Sequence, residues 1–320
     1  MCSYKGQSPV KLIFAALLVL MVALLCSGCD KIQGYIDFDK VQKNTAVSPE
    51  QPAVNGQHPL RIAFASVMSP KETRASYQEM VEYISKQLGQ PAILIQRKTY
   101  EELNMLMAGG EADIAFFSTG AYVAYHGMTP IEQLAMVQTD GTIFYQAYLI
   151  VQADSDIYDF SQLRGKTFAF TDPLSYSGRL AIDYMLLDDY HTNAESFFQR
   201  CFYTYNHDKS LWAVANKLAD GAGIDSQIYD FAKKTNPEMT KNVRIIKTIQ
   251  SAPSGPVVMR KDLPEATKRR LQEIFYQMSE VPALEKAMQS VMIERFQPPE
   301  PHLYDELRSK YNQREKLAGE

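Results

Sequence analysis

Cysteine is scarce: four in 320 residues, with Cys2, Cys26 and Cys29 all within the first 29 positions. That count excludes a disulfide framework and leaves Cys201 as the only thiol outside the N-terminal segment. An excess of positive charge is missing too. Thirty-three basic against 37 acidic residues give a formal net charge of −4, which offers no field for nucleic acid. The five histidines are scattered, without the paired HxxxH spacing of a metal site. No Gly-x-Ser-x-Gly, Walker loop or dinucleotide fingerprint occurs, so neither a catalytic motif nor a cofactor is expected. Cys201 sits in Phe198-Gln199-Arg200-Cys201-Phe202 at the edge of an expected strand and reads as a structural thiol. What the chain does have is 46% hydrophobic and 22% charged residues, the composition of one large folded domain or two medium ones.

Lys5 and Lys11 precede an uncharged apolar run at 12–26. The run is shorter than the roughly 20 residues of a spanning helix and suits the core of a signal peptide. Leu25-Cys26-Ser27-Gly28-Cys29 then resembles a bacterial lipobox, in which small residues precede a cysteine whose thiol takes a diacylglycerol; Cys26 stands where that pattern prefers Leu. The alternative is a plain membrane anchor with an incidental cysteine. Cleavage before Cys29 removes two lysines and no acids, taking the formal charge from −4 to −6. Asp30, by resemblance to enterobacterial lipoproteins, implies retention at the inner membrane. Residues up to 58 mix Pro, Gly, Gln and Asn without periodicity, as a tether does.

Beyond the tether, short apolar runs alternate with helical spacing. Residues 60–65, LRIAFA, predict a strand, and Ser69-Pro70 predicts a helix start. Tyr77, Met80, Val81, Ile84 and Leu88 recur at helical spacing up to Gly89. A strand at 92–95, a helix at 100–107 stopped by Gly109-Gly110, a strand at 113–117 and a helix from Thr119-Gly120 complete a βαβαβ order, which implies a parallel sheet covered on both faces. Residues 144–151 predict a strand entering a second lobe, where strands at 167–170, 202–203 and 221–224 alternate with helices near 178–187 and 210–218. A strand at 257–259 returns to the first lobe, and a helix at 264–279 covers its surface. The expected divisions are a lipoprotein signal peptide at 1–28, a tether at 29–58, lobe I at 59–146 plus 251–297, lobe II at 147–250, and a peripheral C-terminal helix or tail at 298–320. The expected fold class is α/β: a two-lobed clamshell, each lobe a mixed, mostly parallel sheet flanked by helices, with the ligand between them.

Three stretches carry a resemblance. Thr99-Tyr100-Glu101-Glu102-Leu103 leads to Gly110-Glu111-Ala112-Asp113-Ile114-Ala115-Phe116; a second stretch runs from Phe168 through Asp172-Pro173-Leu174-Ser175-Tyr176-Ser177-Gly178; a third joins Asn206-His207-Asp208-Lys209-Ser210 to Ala213-Val214-Ala215-Asn216 and Gly223-Ile224-Asp225-Ser226. Together they resemble the phosphate/phosphonate-binding subunits of ABC importers, which are type II periplasmic binding proteins with a transferrin-like clamshell. The likeness covers roughly residues 60–290.

The residues support a site of that kind. Residues 172–178 form a turn feeding a helix, whose unpaired N–H groups and partial positive charge suit an anion. Ser175 and Ser177 add hydroxyl donors just before Gly178. One serine is expected as an N-cap; two bracketing Tyr176 favour a ligand loop. Tyr176 stands where the family has a small hydroxyl residue, so it narrows the pocket or shifts donation to the backbone. Ser118-Thr119 and Ser69 open two further strand-to-helix turns, readable as caps or as donors from the first lobe. His207 and Asp208 match the family's His-acid pair, which implies a histidine donor and an acid accepting from a protonated ligand oxygen; the alternative is that Asp208 caps the following helix and His207 is solvated. Tyr100 and Tyr145 match positions lining the organic side of the ligand, with core packing as the alternative. Arg179 and Lys209 border the loop, and Arg179 is expected to be solvated.

Departures matter as well. Aminoalkylphosphonate-binding members carry two carboxylates at positions that align with Gln227 and Gly255 here. A buried ammonium without an anionic partner is disfavoured, so a smaller or uncharged substituent, phosphate or phosphite fits better. The resemblance implies a lipid-anchored extracytoplasmic protein that delivers a small phosphorus oxyanion to an ABC permease, with a membrane through the lipid at Cys29 and no nucleic acid, metal or cofactor. A ligand-sensing subunit of a membrane signalling system uses the same clamshell and stands as the alternative.

Overall fold

The structure is a computed structural model that describes residues 58–65 and 67–318. The signal peptide, the Cys29 lipidation site and nearly all of the tether lie outside the described residues. Among the described residues no helix is long and apolar enough to cross a membrane.

The first lobe opens with β1 (Leu60–Ala65), α1 (Pro70–Leu88), β2 (Ala92–Arg97), α2 (Tyr100–Ala108), β3 (Ile114–Phe116), α3 (Thr119–Val123) and β4 (Ile131–Gln138). Local signals set these elements. Pro70 opens α1, and Gly89, at φ 68°, closes it in the left-handed conformation that glycine adopts without strain. Thr99 and Glu102 form a reciprocal capping box at the start of α2. Along β1, Ile62 and Phe64 pack with Met80, Ile84 and Ile114, whereas Ala63 and Ala65 pack with Leu103, Leu106 and Ala115. Both faces are therefore buried, as the period of two requires for a central strand with helices on either side.

The chain then enters the second lobe: β5 (Phe144–Gln152), β6 (Thr167–Phe170), a π turn (Tyr176–Leu180) running into α4 (Ala181–Tyr190), β7 (Arg200–Tyr203), α5 (His207–Ala215), β8 (Gly221–Asp225), α6 (Ser226–Thr235) and β9 (Val243–Pro253). It returns through β10 (Pro256–Arg260), α7 (Glu265–Gln277), α8 (Glu285–Ser290) and β11 (Arg295–Gln297), and ends in α9 (Asp305–Ala318). Two sheets result, ordered β11-β4-β10-β3-β1-β2 and β7-β6-β8-β5-β9. Among the described residues parallel pairing is confined to β1–β2 and β1–β3 in one sheet and β6–β7 and β6–β8 in the other. Strands β5, β9 and β10 beside the crossovers pair antiparallel, so the sheets are more evenly mixed than the βαβ reading implied.

Two features bear on the cleft. One apolar cluster spans both lobes, joining Leu103 and Ala121 to Tyr145, Tyr176 and Leu180. The C-terminal stretch, expected as a peripheral helix or tail, is a helix whose entry residue is embedded. Tyr304 is fully buried, its hydroxyl donates to the Ser254 carbonyl at the crossover, and its ring stands edge-on to Tyr122 at 4.8 Å. From there α9 reaches the other lobe, where Arg314 pairs with Asp183 at 2.9 Å.

Candidate ligand site

The ends of β3, β6 and β8 face one another across the lobes, and the expected site residues gather there. After β6 the chain turns through Asp172, whose Oδ1 accepts from Leu174 N (2.9 Å) and whose Oδ2 accepts from Tyr100 N of the opposite lobe (3.2 Å). Burial pushes this carboxyl up to about 6, against the pull of those two N–H groups. Ser175 is the cap: its Oγ accepts from Gly178 N at 3.1 Å. Ser177 is almost wholly buried, and its Oγ has no hydrogen-bond partner among the described residues. A buried hydroxyl left unpaired is costly and calls for an explanation such as a ligand.

His207 is 2% exposed and opens α5. Its backbone N–H donates to Val67 O of the other lobe (3.0 Å), while the Asn206 amide donates to Met68 O (3.2 Å). The ring Nδ1 accepts from Asp225 N at 3.2 Å, which leaves the proton on Nε2, 3.5 Å from Ser175 Oγ. Burial lowers the ring's pKa to about 3, so His207 is a neutral N–H donor at neutral pH. It is not solvated, and Asp208 does not cap the helix at Ser210. Asp208 instead accepts from the Ser69 hydroxyl across the cleft through Oδ2, while its Oδ1 is buried without a partner.

Other expected donors are already engaged. Ser118 caps α3 by accepting from Ala121 N (3.3 Å). Thr119 donates to Pro253 O (2.8 Å) and accepts from Tyr145 OH (3.1 Å). Tyr176 donates to Gln250 O (3.2 Å), and its ring packs edge-on to Tyr145 at 6.1 Å. The Tyr100 hydroxyl, by contrast, is buried with no partner among the described residues.

Three placements differ from the sequence reading. Arg179 is buried: its Nε pairs with Asp183 at 2.7 Å, Nη2 reaches Glu195 at 3.1 Å, and the guanidinium lies 4.3 Å above the Phe170 ring. It supports the loop from behind, and none of the site contacts described above involves an Arg or Lys side chain. Gln227 lines a separate groove of about 870 Å³ with Asp140, Phe231 and Lys234, a groove that includes neither the loop serines nor His207. Asp225, to which sequence reasoning gave no role, donates its backbone N–H to His207 Nδ1, and its Oδ1 caps α6 by accepting from Gln227 N at 2.7 Å. It keeps some accessible surface yet lies deep in the protein, and burial pushes its carboxyl up to about 7. The pattern of an acid closing a strand before a helix was visible as a cap, but not its depth.

Gly255 has a steric reason. A Cβ there would strike the Phe117 carbonyl and come within 2.9 Å of Ser118 Cα, so no side chain fits. Cys201 is a free, half-buried thiol with its pKa raised to about 11 by burial, consistent with a structural residue. Among the described residues no cluster could hold a metal ion.

A family model described as "ABC transporter, phosphonate, periplasmic substrate-binding protein" matches residues 62–304. The phosphonates-binding periplasmic protein of Escherichia coli K12 is 27% identical over 252 residues, 77% of this chain and 73% of that one. The phosphate-import protein PhnD of Mycolicibacterium smegmatis is 28% identical over 238 residues, 70% of this chain and 68% of that one. A solved binding-protein component of an ABC phosphonate transporter from Pseudomonas aeruginosa superposes with a TM-score of 0.72 at 22% identity, covering 82% of this chain and 89% of that one, and shares the two-lobed fold. The chain belongs to the periplasmic substrate-binding proteins of ABC phosphonate transporters, receptors that serve a membrane permease rather than enzymes.

Proposed function

We propose that this protein binds a small phosphorus oxyanion without an amine (methylphosphonate, phosphite or phosphate) from a lipid anchor at Cys29 and delivers it to its permease. The observation that carries this is a set of neutral donors. Ser177 Oγ and Tyr100 OH are buried without a partner among the described residues, and the Nε2–H of His207 has only a long contact, 3.5 Å, with Ser175 Oγ; unpaired backbone N–H groups at the start of the turn that becomes α4 add to them. Tyr145, which the resemblance puts on the organic side with Tyr100, packs its ring edge-on to Tyr176 at 6.1 Å. Ser69, Ser118 and Thr119 then serve mainly to close and cap the lobes, since each already has a partner, and Asp208 joins that closure through Oδ2 while its Oδ1 has no partner among the described residues.

The absence of an amine subsite rests on Gly255, which has no room for a carboxylate, and on Gln227, which faces the outer groove. Calorimetry with aminoethylphosphonate, methylphosphonate, phosphite and phosphate tests this reading. Binding of the last three and rejection of the first is the expected result; tightest binding by the amino compound would overturn it. Detergent partitioning of the wild type and of Cys29→Ser tests the anchor, which is wrong if the variant still partitions through an uncleaved segment.

A further inference from the structure

A short helix favours alanine over glycine, yet α3 carries Gly120 at its second position. No positive φ requires a glycine there. The reason lies in the opposite lobe. A Cβ at Gly120 would overlap the Leu174 carbonyl oxygen, and it would stand 2.9 Å from Leu180 Cδ1 and 3.0 Å from the Leu174 carbonyl carbon. These three nearest atoms all belong to the second lobe, and Leu174 lies in the loop that carries Ser175 and Ser177. We infer that Gly120 is the seat on which the serine loop comes to rest when the lobes close, so that a side chain at this position holds the clamshell open. Gly120 is thus a positioning residue for ligand binding. The inference rests on the two-lobed fold and holds whichever oxyanion is bound.

Neither side of this contact yields locally. Asp172 holds the serine loop from within: its Oδ1 accepts from Leu174 N and its carbonyl from Ser175 N, both at 2.9 Å. The Leu174 carbonyl is therefore fixed in direction. The same Asp172 makes a second contact with the first lobe, where its Oδ2 accepts from Tyr100 N at 3.2 Å. On the first lobe α3 is pinned as well. Ser118 Oγ accepts from Ala121 N at 3.3 Å, and Thr119 donates to Pro253 O at the crossover at 2.8 Å. The soft coordinate that remains is the hinge between the lobes. Opening it relieves an overlap at Gly120, but it also parts His207 N from Val67 O, the Asn206 amide from Met68 O, and Ser69 from Asp208. Tyr100 of the first lobe then stands away from Ser177 and His207 of the second, and the donors no longer converge. One methyl forced into a packed contact weakens the closed state by roughly fivefold to over a hundredfold.

Gly120→Ala in the full chain is the test. Calorimetry with methylphosphonate and with phosphate should show affinity lower by that factor, and small-angle scattering should show a smaller decrease in radius of gyration on adding ligand. The melting temperature of the ligand-free protein should not fall, because alanine suits α3. Unchanged affinity, or a lowered ligand-free melting temperature, would overturn the inference. Closure is also read without ligand. Ser69→Cys with Asp208→Cys, in a Cys201→Ser background, places two thiols where those side chains meet, and oxidation by diamide links them when the lobes close. Adding Gly120→Ala should slow that link at least fivefold. Equal rates with and without Gly120→Ala, or no link in either, would refute the seat whatever the ligand. A link slowed as expected, in a protein whose wild type binds neither methylphosphonate, phosphite nor phosphate, would overturn the proposed function and leave the seat standing.

Discussion

Arg314 offers a test of closure that does not touch the ligand. It comes from α9, which is anchored on the first lobe by buried Tyr304 and by Arg308 lying 5.0 Å above the Tyr122 ring. Its guanidinium reaches Asp183 on α4, the helix that continues the serine loop, at 2.9 Å. The two side chains are 26% and 9% exposed, and Asp183 is also held by Arg179 at 2.7 Å. Burial raises the Asp183 carboxyl despite both guanidiniums, whereas at Arg179 the neighbouring acids outweigh burial and raise the guanidinium's pKa. The network thus gains at one partner and loses at the other, and Asp183 depends on having two cations.

Removing one partner of a fully buried pair costs about 3–5 kcal/mol, and an exposed pair contributes about 0.2–1 kcal/mol. Arg314 is partly exposed and Asp183 retains Arg179, so about 1 kcal/mol is expected. The loss falls on the closed state alone, because opening the lobes returns Asp183 to water. That corresponds to a fivefold fall in ligand affinity. Arg314→Met keeps the apolar stem and removes only the charge. Titration with methylphosphonate can be followed by calorimetry and by fluorescence of Trp212, the single tryptophan, half-exposed on the helix that begins with His207. The variant should bind about fivefold more weakly, and the loss should vanish in an Asp183→Asn background. Unchanged affinity in Arg314→Met, or an equal loss in both backgrounds, would refute the clasp.

Ser177→Ala and Tyr100→Phe should each weaken oxyanion binding by roughly tenfold to over a hundredfold, the value of about 1.5–3 kcal/mol for a hydrogen bond to a charged group, without lowering the melting temperature of the ligand-free protein; a lowered melting temperature with unchanged affinity would mark them as structural. Gly255→Asp should destabilise the fold by about 1–3 kcal/mol through its clash with the Phe117 carbonyl and should not confer binding of aminoethylphosphonate by calorimetry; acquisition of that ligand would show the crossover to be pliable. Asp225 has a folded pKa of about 7 against an ordinary value of 3.8, so its stabilising contribution is full below about pH 4 and lost as the pH rises through 7. Asp225→Asn should accordingly raise the melting temperature of the ligand-free protein more at pH 8 than at pH 4, and the reverse order in a thermal scan would contradict the burial assigned to this acid.

Much of the fold was legible because its central elements obey local rules. The buried strands β1, β3 and β6 are short apolar runs, and α1 and α2 carry their own start and stop signals. What escaped was set by distant chain. Strand β4 interrupts its buried centre with the polar Gln133 and has half-buried Glu132 and Gln138 at its flanks, and β9 mixes buried with exposed positions along its length. Helix α5 begins three residues before its expected start, because the chain bends at Tyr205 (φ 63°) and Val67 and Met68 of the other lobe accept the hydrogen bonds that hold its first residues. A cap supplied across the cleft leaves no local signature.

The site shows the same division more sharply. Ser175 and Ser177 are equivalent by composition and spacing, yet one caps and the other is left unpaired. A helix start at this loop satisfies Gly178 N with a single acceptor, so the second hydroxyl cannot be explained by capping once Ser175 has taken that place. Arg179, polar and in the first turn, was expected in water; the π turn at Tyr176–Leu180 sets it instead over Phe170 and against Asp183. With Arg179 committed behind the loop, an oxyanion bound as proposed would be stabilised by dipoles rather than by a cation. The neutral His207 and the raised pKa of Asp225 follow from one physical cause, the exclusion of water from the space where the lobes meet.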